Sequence, residues 1–331
     1  TTYTPHPRET QAAEIEQIKD KGLYKEKRFI CSPQDAEIEV EYPEGAAHQK
    51  VLNFCANNYL GLSSHPEVIQ AAHEGLDERG YGMSSVRFIC GTQDIHRTLQ
   101  NKVSEFLGME DTLLFPSCMD ANAGVFEAIL DSEDVIIADR LIHASLVDGI
   151  RLCSAHYDTF KHMNMKHLEK KLELHQDKRT RLIVTDGVFS MDGDLIQLDE
   201  MCALAVKYDA MVLVDESHAS GGCVSGRAEL IELCRQKARP YLFSNSLAPS
   251  IVNASIKVID LVSSTTERRD KLEWNTKYFR EKITAAGLVV GGQDTPIVPV
   301  MLYNAKLAND MARDMYAEGI YVIGFFFPVV P

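Results

Sequence analysis

With 331 residues, 45% of them hydrophobic, the chain can bury the core of one large domain and a smaller one. A formal net charge of −14 argues against a nucleic-acid or anionic-membrane partner, and no apolar run nears the roughly 20 residues of a membrane helix. Eight scattered cysteines, with no C-x-x-C pair and no histidine cluster at metal spacing, read as reduced thiols, mostly buried, in a reducing compartment.

Gln11–Lys21 predicts an exposed N-terminal helix. Val51–Phe54 is a short apolar run, and Pro66–Arg79 and Asp94–Leu107 carry helical spacing. Apolar strand-like runs then alternate with helices. The strands are expected at Thr112–Phe115, Val135–Ala138, Leu182–Thr185 and Met211–Val214. The helices between them are expected at Ala121–Leu130, Ala144–Leu152, Met165–His175 and Asp199–Tyr208. This alternation predicts an α/β domain, a mostly parallel sheet with helices on both faces. Tyr241–Phe243 predicts one more strand, ending in Ser244, Asn245 and Ser246. Beyond it, helices at Ser250–Val262, Glu267–Ala286 and Ala305–Ala317 and strands at Ile297–Leu302 and Tyr321–Ile323 suggest a smaller α+β domain. The expected division is an N-terminal helix and arm over 1–50, a large domain over 51–246 and a smaller C-terminal domain over 247–331.

Four strand ends carry polar, ligand-ready residues. Met211–Val214 runs into Asp215, with His218 three positions on, which reads as a buried strand delivering an acid to the carboxyl edge of the sheet. An Asp there can hold a proton on a ring nitrogen. Pro116–Asp120 joins a strand to a helix and offers free backbone N–H groups for a phosphate, or an ordinary capped turn. His143 could stack on a planar ring, or simply cap the next helix. The loop Thr185–Asp194 has two glycines and three aspartates, without EF-hand spacing, and is better suited to presenting Ser190 to a ligand than to holding a metal. Convergence at one sheet edge is what favours a site over four unrelated loops. No G-x-S-x-G elbow, no G-x-G-x-x-G and no P-loop occurs.

These stretches together resemble the α-oxoamine synthases, pyridoxal phosphate (PLP) enzymes of the aspartate aminotransferase fold, PLP fold type I. The resemblance spans Leu23 to Pro331. It is densest in Asn53–Leu62, Ser85–Asp94, His143-Ala-Ser, Thr185–Gly193, Arg239–Pro249 and Phe327–Pro331. It implies an acyltransferase that condenses glycine with acetyl-coenzyme A, giving 2-amino-3-ketobutyrate and coenzyme A. Cys118 and Met119 would lie at the phosphate-side helix start, His143 over the pyridine ring, and Ser190 and His218 near the ring hydroxyl. Asp215 would pair with the ring nitrogen, and Asn57 with His143 would meet the substrate. Ser244 and Asn245 would reach the neighbouring subunit's cofactor, making a homodimer with shared active sites.

The chain departs from that family in one region above all. Family members carry several dozen residues, including Thr-Leu-Gly-Lys with the Schiff-base lysine, where Ser225-Gly226-Arg227 here passes directly into Ala228-Glu229-Leu230. They also continue past Pro331 to a carboxylate-binding arginine. Ile142 stands where Asn is usual, and Met119 where an aromatic is common. Two other readings therefore stand beside the first: an inactive, lysine-less subunit of a PLP-fold acyltransferase, and a synthase using a longer acyl donor.

Overall fold

The computed structural model describes residues 7–20, 24–218 and 223–325. In chain order it forms α1 (Pro7–Asp20), β1 (Phe29–Ile30), β2 (Glu37–Glu41), β3 (Gln49–Asn53), α2 (Pro66–Arg79), α3 (Asp94–Leu107) and β4 (Asp111–Leu114). There follow α4 (Cys118–Ile129), β5 (Val135–Asp139), α5 (Ala144–Leu152), β6 (His156–Phe160), α6 (Met165–Leu174), β7 (Arg181–Asp186), α7 (Leu198–Lys207) and β8 (Met211–Asp215). The remainder is β9 (Cys223–Gly226), α8 (Ala228–Lys237), α9 (Arg239–Phe243), α10 (Pro249–Ser264), α11 (Glu267–Ala285), α12 (Ala305–Ala317) and β10 (Ile320–Tyr321).

The central sheet has the order β6-β5-β7-β8, and every pair in it is parallel. Its inner strands β5 and β7 are buried at every residue, because helices cover both faces and the runs Val-Ile-Ile-Ala and Leu-Ile-Val are apolar on both sides. One face packs Leu113, Phe126, Ile136, Leu146 and Val184 into a core with Ile231 and Tyr241 from α8 and α9. The other packs Ile137 and Ile183 against Leu168, Leu172 and Met201 of α6 and α7.

Several expectations are redrawn by the structure. β4 does not join the parallel sheet but pairs antiparallel with β9, a strand the sequence reading missed. β6, with the mixed pattern His-Tyr-Asp-Thr-Phe, was missed as well, since only Phe160 in it is buried. Tyr241–Phe243 is helical, in α9, where Pro240 at the start of the helix fixes a compatible backbone. Ile297–Leu302 contributes an isolated bridge, Val290 to Val300, in place of a strand.

The chain divides into two compact units, one from residues 1–56 and 309–324 and the other from 57–308 and 325–331. The boundary expected at 246/247 falls elsewhere, because α10 packs Val252, Ile256 and Ile259 with Leu99 and Val103 of α3 and Leu114 of β4. The first unit holds the sheet β1-β2-β3-β10, with Ile38, Val40, Val51 and Tyr316 as its core. There the Arg28 guanidinium lies 5.2, 4.5 and 4.6 Å from the ring centres of Tyr42, Tyr316 and Tyr321, a cation–π cage. Lys21 and Phe327–Pro331 lie outside the described residues.

Candidate active site

A cavity of about 160 Å³ opens where β5, β7 and β8 end and α4 begins. Cys118 and Met119 line it from the first turn of α4, which Ser117 caps by accepting the Asp120 N–H at 3.1 Å. His143 and Ser145 line it from the junction after β5, Asp186 and Val188 from that after β7, and Asp215, Ser217 and His218 from that after β8.

Asp215 is buried and held by a dense set of donors. The Asn122 amide donates to its Oδ2 at 2.8 Å, the Ser217 N–H donates to its Oδ1 at 2.9 Å, and the Ser217 hydroxyl donates there too. Burial pushes its carboxyl up, but the bonds from Ser217 and Asn122 outweigh that and hold it below the usual carboxylate range. The result is a fixed anion at the cavity wall.

Asn122 spends its second amide hydrogen on Ser145 Oγ at 2.9 Å. Ser145 in turn lies 2.7 Å from His143 Nδ1 and gives that nitrogen its backbone N–H at 3.2 Å. His143 is thus the N-cap of α5, and a ring nitrogen that accepts from a backbone amide leaves Nε2 as the ring's N–H. One chain of hydrogen bonds links Asp215, Asn122, Ser145 and His143.

Asp186 sits opposite Asp215 in the β7–β8 register. It is buried and accepts the His143 N–H at 3.2 Å; burial, with the nearby Asp215 charge adding to it, raises its carboxyl to about 7. His218 bonds through Nδ1 to the Tyr59 hydroxyl at 3.0 Å, and burial followed by the nearby His143 lowers its basicity. Burial also raises the Cys118 thiol, whose sulfur lies 2.7 Å from the Ser217 hydroxyl oxygen.

Of the residues singled out in the sequence, Cys118, Met119, His143, Asp215 and His218 come together around this cavity. Ser190 follows two residues after the lining Val188 but is not itself among the lining residues, nor are Asn57, Ser244 and Asn245. Asn245 forms an isolated bridge with Val86. The reading missed Asn122, Ser145, Asp186, Ser217 and Tyr59. Asn122 could have been found one helical turn beyond Cys118, and Asp186 as the residue ending the strand before Asp215. Among the described residues no lysine lines the cavity, and the sequence holds none between Lys207 and Lys237.

The donor set fits the pyridine ring of PLP, because a buried, hydrogen-bonded carboxylate is the partner a protonated ring nitrogen needs. It does not supply the covalent anchor.

The family model for class I and II aminotransferases matches residues 49–222 and 219–331, and the chain belongs to this family of PLP enzymes, in its α-oxoamine synthase branch. The expected fold type I architecture is thereby borne out. The 2-amino-3-ketobutyrate coenzyme A ligase of Salmonella typhimurium is 48% identical over 355 residues, covering 96% of this chain and 88% of the relative. The mitochondrial enzyme of that name from Homo sapiens is 47% identical over 353 residues, covering 96% and 83%. Both matches run longer than the 331-residue chain, so the relatives hold residues with no counterpart here. Among solved structures, Sphingomonas wittichii serine palmitoyltransferase superposes with a TM-score of 0.85 at 26% identity, covering 97% of this chain and 89% of that one. A serine palmitoyltransferase holding PLP gives 0.86, with the same identity and coverage.

Proposed function

We propose that the chain is a PLP-dependent acyltransferase that joins glycine to acetyl-coenzyme A, giving 2-amino-3-ketobutyrate and free coenzyme A. The observation that carries the reading is the Asp215 carboxylate, buried at a cavity wall and wired through Asn122 and Ser145 to His143. The identity of nearly half with ligases of that name supports it.

PLP bound there supplies an electron sink for the charge left when glycine gives up its α-proton. Asp215 keeps a proton on the ring nitrogen, which strengthens that sink. His143, presenting its Nε2–H, would lie against the ring and meet the substrate. His218, tied at Nδ1 to Tyr59, would offer its other nitrogen to a cofactor oxygen. Cys118 and Met119, at the start of α4, would hold the phosphate beside the positive end of that helix's dipole. Ser190 and Asn57 complete the cofactor and glycine contacts, and Ser244 and Asn245 act across a homodimer interface. A location in the cytoplasm or the mitochondrial matrix belongs to the same reading. The human relative is named mitochondrial, and among the described residues no helix is long and apolar enough to cross a membrane.

A second reading is favoured by one observation, the missing cavity lysine. It makes the chain a PLP-binding subunit without turnover of its own. One experiment separates the two: PLP binding by equilibrium dialysis, with thiol release from acetyl-coenzyme A measured with and without glycine. Glycine-dependent thiol release supports the acyltransferase. Binding with no release supports the second reading, and no binding sinks both.

A further inference from the structure

His162 lies outside the lining of the cavity, yet it fastens two of the cavity's walls. It follows β6, where its ring bridges two carboxylates: Nδ1 lies 2.9 Å from Asp139 Oδ1 and Nε2 lies 3.1 Å from Asp194 Oδ2. Asp139 ends β5 and is 1% exposed at its side chain, whereas Asp194 closes the loop after β7. A neutral imidazole carries one N–H and can donate to one carboxylate only, so satisfying both requires the imidazolium.

Each carboxylate leads directly to the site. Asp139 also accepts the Leu141 N–H at 2.9 Å and the Met163 N–H at 3.0 Å, so it shapes the turn that delivers His143. Met163 is held there at a φ of +54°, a left-handed conformation that a methionine keeps only when its surroundings impose it. On the other side, the Asp194 carbonyl accepts the Phe189 N–H at 3.0 Å, and Val188 bridges to Leu195. Phe189 is 1% exposed, and its ring meets the His162 ring edge-on with centres 4.5 Å apart. Val188, its neighbour, is a cavity wall.

We propose that the His162 imidazolium is a positioning residue that locks the His143 turn to the Val188 loop, and that the cavity's hold on its cofactor weakens once that cation is lost. The proposal rests on the reading of the cavity as a PLP site, although the clamp itself does not depend on it.

The groups facing His162 are acidic: Asp139 from β5, Asp194 and Asp192 from the loop, and Asp186 at the end of β7. Burial pulls the His162 ring down, but the hydrogen bonds to Asp139 and Asp194 overcome this and lift it to about 9. The sign follows from linkage. A histidine raised from 6.5 to about 9 contributes fully below 6.5, and its contribution is lost as pH rises through about 9.

The test compares the full chain with His162→Gln and His162→Arg. Glutamine keeps polarity without charge; arginine restores a cation whose fork can reach two carboxylates. PLP affinity is measured by dialysis from pH 6 to 10, with amide exchange of residues 140–143 and 187–195 followed by mass spectrometry without cofactor. The expected result is that His162→Gln loosens both segments together and binds PLP about tenfold more weakly at pH 7. His162→Arg recovers most of both. Wild type approaches the glutamine variant's affinity above pH 9, while His162→Arg shows no such step. Wild-type affinity and wild-type exchange in His162→Gln would overturn the proposal, as would equal losses in the glutamine and arginine variants. If wild type binds no PLP, the cofactor reading falls, and the exchange data alone decide the clamp by the same comparison.

Discussion

Asp186 and Asp215 end neighbouring strands in register, yet their surroundings drive them in opposite directions. Asp215 has three donors and stays ionised, whereas Asp186 has the His143 N–H for a partner and is raised to about 7. Removing the Asn122 amide by Asn122→Ala leaves a buried carboxylate short of a donor. The expected cost is about 1–3 kcal/mol in a urea melt, together with weaker PLP binding. Unchanged stability would show that water replaces the amide. For Asp186 the direction reverses. The folded state holds a proton between the ordinary 3.8 and about 7 that the unfolded chain has released, so stability falls as pH rises through that window. Asp186→Asn keeps an acceptor for the His143 N–H and removes the buried charge. It is expected to gain stability over wild type, by about 2 kcal/mol or more at pH 8 relative to pH 4, in paired thermal melts.

Among the elements, α5 shows how close packing places a functional side chain. Gly149 lets α5 approach α4 so nearly that an added Cβ would lie 2.0 Å from the Asn122 carbonyl oxygen. Asn122, in the second turn of α4, and His143, the N-cap of α5, depend on that approach. Gly149→Ala is expected to destabilise the protein by about 1–3 kcal/mol and to weaken PLP binding, because α5 must move with its cap. Gly226→Ala on β9, where an added Cβ meets nothing within 4 Å, is the matched control and is expected to change stability by under about 0.5 kcal/mol. A melt of Gly149→Ala matching that control would contradict the packing argument. The loop behind the cavity has a similar device. Gly193 takes a φ of +71° with an Ile297 carbonyl 2.5 Å from where its Cβ would be, so no larger residue fits.

At the scale of the molecule, the sheet is interrupted where β8 hands over to β9. β8 is the edge of the four-stranded sheet, and its first four residues are only half-buried although its run Met-Val-Leu-Val is apolar. β9, next in the chain, belongs to a separate pair with β4. An apolar strand with an open edge calls for a neighbour. The family model also matches in two pieces that meet at residues 219–222, between these strands and upstream of the Arg227–Ala228 junction where the sequence reading set the departure from the family. Inserting the Salmonella typhimurium relative's extra residues there is expected to raise the melting temperature by about 5 °C or more, through added burial along β8. The insert is also expected to bring PLP into a borohydride-reducible attachment. A chimera that melts lower than the parent would show that β8 and β9 are already satisfied as they stand.

The sequence alone was enough for the α/β class, the β5, β7 and β8 strands and five of the residues around the cavity. Those features are local: apolar runs of four or five residues, helical spacing, and polar residues immediately after a strand. It was also enough for the family, because motifs such as Thr185–Gly193 and Arg239–Pro249 are long and contiguous. The tertiary structure alone decided which residues hold those five in place. Asn122 reaches Asp215 across 93 positions of sequence, Tyr59 reaches His218 across 159, and His162 joins carboxylates 23 and 32 positions away on either side. Nothing in a one-dimensional pattern marks such partners, since a hydrogen bond is chosen by distance and angle after the helices have packed. The same holds for strand partners. β4 reads like the parallel strands, and only its register with β9 sets it apart.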